Sequence, residues 1–117
     1  MKLEEVIAEI EEVSQRFPFI LEIIKLDETK YSVKYLLMIA EDLFVQVYRN
    51  VRSGTIGLAL VYHGQRLYGR DREDGQWHRH PFENPLEHDF SAEGSREVSV
   101  EEFLEEVQEI LEREELI

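Results

Sequence analysis

Apolar residues recur along this 117-residue chain with two different periods, and the change from one to the other outlines the fold. Leu3, Val6, Ile7, Ile10 and Val13 stand three and four apart with glutamates between them, which predicts an amphipathic helix over residues 2–16. Phe17-Pro18 ends it, because the residue before proline avoids the helical region. The period then shortens to two. Residues 19–26 are β-rich, and Asp27-Glu28 reads as a turn. Residues 30–39 alternate, with Tyr31, Val33 and Tyr35 on one side and Ser32 and Lys34 on the other. Residues 43–48 alternate again, residues 55–62 are apolar enough for a central strand, and His63-Gly64 turns the chain into a strand over 65–72. A Glu73-Asp74-Gly75 turn would lead to a short strand over 76–80.

Residues 81–98 lose all periodicity, hold Pro81 and Pro85, and predict a long surface loop. Ser99-Val100-Glu101-Glu102 is a capping box opening a second helix, whose stripe is Phe103, Leu104, Val107, Ile110 and Leu111 and which ends near residue 114. The expectation is one α+β domain over residues 1–117. It has an N-terminal helix, an antiparallel sheet of five or six strands in meander order, and a C-terminal helix. Neither helix lies between two strands, so nothing calls for a parallel sheet, and one sheet face should stay at least partly open.

Composition adds exclusions. With no cysteine, there is no disulfide, no thiolate metal site and no cysteine nucleophile. The acidic start and the absence of a long apolar run give no sign of a signal peptide or a membrane span, so a cytoplasmic location and no membrane partner are expected. Abundant glutamate with two asparagines leans toward a thermophilic source. The net charge of -13 argues against a protein that simply coats nucleic acid. The acids are concentrated at the ends, however. Residues 30–80 carry eight bases against five acids, so a basic middle surface remains open to an anionic partner.

The chemistry-bearing residues lie in that middle region and just beyond it. Three of the four histidines, His78, His80 and His88, fall within eleven positions, next to Arg70, Asp71, Arg72 and Arg79. Alternation through residues 65–72 puts Tyr68, Arg70 and Arg72 on one face and Asp71 on the other. In the following strand His78 and His80 share a face, opposed by Trp77 and Arg79. If the two sets coincide, one hairpin face would hold two arginines and two histidines. Arginine binds phosphate through two parallel bonds, and paired imidazoles serve as general base and general acid in metal-independent ribonuclease chemistry. Tyr68 could stack on a base. Trp77 reads better as a packing residue, and arginines beside an aspartate in a hairpin are also what surface ion pairs look like.

A metal set built on His78, His80, Glu83 and His88 is an alternative that ranks below the metal-free reading. It resembles the start of the first cupin metal motif, but the carboxylate comes early and no second histidine motif follows. No cofactor is expected.

The same residues resemble the TumE family of small toxins from prokaryotic toxin–antitoxin pairs, over roughly residues 31–112. The likeness rests on an antiparallel sheet, the step Arg70-Asp71, the histidine-rich segment His78-Arg79-His80-Pro81-Phe82, a polar loop, and a closing helix that begins Ser99-Val100-Glu101-Glu102-Phe103-Leu104. The resemblance implies a toxin acting on RNA and held off by an antitoxin protein. It implies Arg70, Asp71, His78 and His80 as the catalytic set, with Arg72 and His88 beside them. Tyr68 and Arg79 complete the expected substrate contacts. For Asp71 to join such a site, simple alternation would have to break near Gly69 or Glu73. A non-catalytic module that dimerises or binds a partner through a sheet edge is the competing reading.

Overall fold

The computed structural model describes residues 1–117. Its elements are α1 (Leu3–Gln15), β1 (Glu22–Glu28), β2 (Ser32–Ala40), β3 (Leu43–Asn50), β4 (Ile56–Tyr62), β5 (Gln65–Glu73), β6 (Gln76–His80) and α2 (Val100–Arg113). The six strands form one antiparallel sheet in the order β1-β2-β3-β4-β5-β6, as the short turns require. The first strand lies later than its sequence suggests. Residues 19–21 are outside it, and Asp27 and Glu28, which read as a turn, pair with Lys34 and Val33. A register shift between Lys25 and Asp27 lets the strand run on, and the chain turns at residues 29–31 instead.

Both helices cover one sheet face. Val6, Ile10 and Val13 of α1 and Phe103, Leu104, Val107, Ile110 and Leu111 of α2 meet Val33, Tyr35, Leu37, Val45, Val47, Leu58 and Leu60 in one buried cluster. Each fully buried aliphatic side chain there contributes about 2 kcal/mol relative to exposure. The Tyr35 hydroxyl donates to Glu11, fixing α1 over β2. Ser99 caps α2 as expected: its hydroxyl accepts from the Glu102 amide, and the Glu102 carboxylate accepts from the Ser99 amide. No helix is long and apolar enough to cross a membrane.

The opposite face carries Lys34, Leu36, Phe44, Gln46, Tyr48, Ala59 and Val61, all only partly buried. Over most of the sheet it stays open. At the β5–β6 end, Pro85, His88 and Phe90 of the following loop cover it.

Candidate functional site

Hairpin register decides which side chains share a face. The β5–β6 turn has two residues, Asp74 and Gly75, both with positive φ (51° and 78°), so Glu73 pairs with Gln76, Arg72 with Trp77 and Asp71 with His78. A three-residue turn over 73–75 would have set Arg70 opposite His78. The one-residue difference flips the whole strand. Asp71 therefore faces the same way as His78 and His80, with no break in alternation near Gly69 or Glu73. Arg70 and Arg72 lie on the helix side with Trp77 and Arg79. The expected face of two arginines and two histidines does not form.

The four candidate residues on the helix side have structural partners. Arg70 is fully buried. Its Nε and Nη2 donate to the Glu106 carboxylate at 3.1 and 2.7 Å, and further bonds reach the Glu93 carbonyl (2.7 Å) and carboxylate (2.9 Å). This clamp ties β5 to α2 and to the loop. Although burial opposes the charge, the Glu106 and Glu93 partners raise the Arg70 pKa above its ordinary value. Tyr68 stacks on Phe103 with centroids 5.8 Å apart, and burial pushes its hydroxyl up to about 12. Arg72 donates to the Gly54 carbonyl at 2.7 Å, and Arg79 grips Asp89 through Nε (2.9 Å) and Nη2 (2.6 Å). Trp77 is a core residue.

The other four come together. His78 Nε2 lies 3.2 Å from His80 Nε2. Asp71 Oδ2 lies 3.3 Å from His80 Nε2 and 3.6 Å from His78 Nε2. His88 arrives from the loop by a strand-like rule. Residue 89 bridges to β6, with Arg79 N donating to Asp89 O (3.1 Å) and Asp89 N to Arg79 O (2.8 Å). Pairing puts Asp89 on the Arg79 side, so its neighbours His88 and Phe90 point to the histidine side. The three imidazole centroids stand 5.0, 5.0 and 4.8 Å apart, and Phe90 lies 5.4 Å from His78. Asp71, His78 and His80 are buried, while His88 is exposed at the rim. The His80 Nδ1 is 2.8 Å from the Pro85 carbonyl. A carbonyl only accepts, so Nδ1 carries the hydrogen and Nε2 of the neutral ring is a lone pair. Burial, and then the nearby Arg66 charge, lower the His80 pKa.

Sequence reasoning missed Arg66. Alternation alone would place it with Tyr68 and Arg70. A bulge intervenes: Leu60 pairs with Tyr68 but Val61 with Arg66, leaving Leu67 extra and turning Arg66 to the histidine face. Its Nη2 donates to Asp71 Oδ1 at 2.7 Å and to the Leu58 carbonyl at 3.2 Å. The guanidinium lies flat over Gly69, where a Cβ would stand 2.6 Å from Cζ. A glycine inside a strand was the available signal for such a close approach. Glu83, the carboxylate in the alternative metal set, lies instead in a groove of about 300 Å³ beside Tyr68, Phe82 and Glu106. The carboxylates that accompany the histidines are Asp71 and the exposed Glu73, whose ligand atom lies within 4.8 Å of those of Asp71 and His78.

No protein-family model, curated protein or solved structure matches this chain.

Proposed function

We propose that this chain is the toxin component of a toxin–antitoxin pair acting on RNA, and that its working centre is Asp71, His78, His80 and His88 beside Arg66. The observation that carries the reading is the convergence of three imidazoles and a carboxylate at one end of an open sheet face, within the segment that resembles the TumE toxins. Two imidazoles with Nε2 atoms 3.2 Å apart leave no room for a phosphodiester between them, so they do not bracket it as separate acid and base. Exposed His88 and the Arg66 guanidinium at the rim are the groups positioned to meet an anionic substrate. Tyr68, Arg70, Arg72 and Arg79 take structural roles under this reading.

The test is induced expression with growth and total-RNA integrity as readouts, followed by cleavage of RNA with purified protein. Wild-type protein should arrest growth and degrade RNA, and His78→Ala/His80→Ala should do neither. A folded double variant as toxic as the wild type would sink the assignment.

A partner-binding reading draws on a separate observation. Residue 89 caps the β6 edge, but β1 presents seven residues of unpaired edge with Leu26 exposed. Light scattering tests it: a strict monomer that captures no adjacent gene product counts against it.

A further inference from the structure

We propose that Asp71 Oδ2, His78 Nε2 and His80 Nε2 are ligands of one divalent first-row transition-metal ion of the Zn²⁺ class, with His88 as a further ligand from the loop. The inference deepens the functional reading above by giving the same centre a metal, yet its physical basis does not depend on RNA.

The spacing of the three donor atoms is the first argument. Ligand atoms about 2.1 Å from an ion stand about 3.0 Å apart at right angles and about 3.4 Å apart in a tetrahedron. The observed separations are 3.2, 3.3 and 3.6 Å. An ion fits above this triangle with movements of a few tenths of an ångström. The His88 ligand nitrogen lies within 4.8 Å of those of His78 and His80, and its exposure leaves it free to swing in.

The second argument concerns what the donors do without an ion. Because Nδ1–H of His80 is committed to the Pro85 carbonyl, the Nε2 lone pair faces a carboxylate oxygen at 3.3 Å. Two acceptors held that close repel unless a cation lies between them, either a second proton on His80 or a metal ion. A hydrogen on His78 Nε2 can serve one of them, not both. The surroundings are also those of a ligand shell. An imidazole N–H held by a backbone carbonyl and a carboxylate held through its other oxygen are the contacts that orient metal ligands. Arg66 is then a positioning residue for Asp71.

The donor set selects the ion. Two or three imidazoles and one carboxylate suit Zn²⁺, Co²⁺, Ni²⁺ or Fe²⁺. Mg²⁺ and Ca²⁺ prefer oxygen, and no thiolate is present for a soft ion. With Arg66 paired to Asp71 and Glu73 nearby, a bound dication still leaves the centre net positive, which favours an anionic ligand at any remaining coordination position.

The experiment uses full-length protein made without an affinity tag, stripped with chelator, dialysed, and titrated with Co²⁺. One Co²⁺ per chain should bind with visible d–d absorption and be displaced by Zn²⁺. Asp71→Asn, His78→Ala and His80→Ala should each weaken binding by more than about tenfold, Gly69→Ala by about tenfold through displacement of Arg66, and His63→Ala not at all. Should a ligand variant fail to fold, ¹⁵N spectra of the wild-type imidazoles decide: Zn²⁺ should move the Nε2 resonances of His78 and His80 and leave His63 in place. Sub-stoichiometric Co²⁺, binding insensitive to His78 and His80, or unmoved Nε2 resonances would each overturn the site. Metal-loaded protein inert toward RNA refutes the RNA reading and leaves the metal site standing. Chelator-stripped protein that still cleaves RNA removes the ion from the reaction.

Discussion

Replacing Arg70 by methionine should cost about 3 kcal/mol of stability. The guanidinium is fully buried and makes two bonds to Glu106 and two to Glu93, so it joins β5, the loop and α2. Methionine keeps much of the stem and removes the charge. Removing one partner of a buried pair costs about 3–5 kcal/mol, mostly because the other charge is left uncompensated. Two features pull the estimate to the lower end. The Glu93 side chain is 53% exposed, and Glu106 keeps Arg96 at 3.3 Å. A chain of this size has about 6 to 18 kcal/mol in total. With an unfolding entropy of about 2.1 cal/mol/K per residue, the loss lowers Tm by about 12 °C. Urea denaturation with an unchanged m-value and scanning calorimetry measure it. The double variant Arg70→Met/Glu106→Leu should recover to within about 1 kcal/mol of wild type, since well-packed apolar groups replace a buried ion pair at little cost. A single variant costing under about 1 kcal/mol, or a double variant as damaged as the single, would refute the clamp.

Ser99→Ala removes one half of the α2 capping box and should cost about 1 kcal/mol, or about 4 °C in Tm; an unchanged melting curve would show that α2 is held by packing alone. The Asp89 carboxyl is held down at about 2 by bonds from Ser91 and then from Arg79, so its contribution to the loop is complete above the ordinary carboxylate range and is lost as pH falls from about 4 through about 2. Carboxyl ¹³C titration should find it there, and a midpoint near 4 would show that the loop is not latched to β6.

Both helices, a sheet of five or six strands in meander order and the α2 cap are legible in the chain because each follows from a local rule. Burial of one helix stripe or one strand face imposes a period of 3.6 or 2, and Ser99 and Glu102 complete a cap within four residues. The histidine segment could be picked out in the same way, as a local density of imidazole. Its partners could not be assigned by the same rules. Alternation orders side chains along one strand but says nothing of how that strand registers with the next. The two-residue Asp74-Gly75 turn, a dipeptide signal present in the sequence, moved Arg70 and Arg72 to the core side and Asp71 to the histidines.

Two further placements rest on interactions distant along the chain. The bulge at Leu67 brings Arg66 to Asp71 by shifting β5 against β4. The bridge between Arg79 and Asp89 folds the aperiodic loop back onto β6 and sets His88 over the pair. Neither has a periodic signature, since each is fixed by hydrogen bonds between segments that meet only once the sheet has formed. Side-chain type is a property of the chain, whereas the 3.2–3.6 Å triangle of donor atoms is a property of strand register.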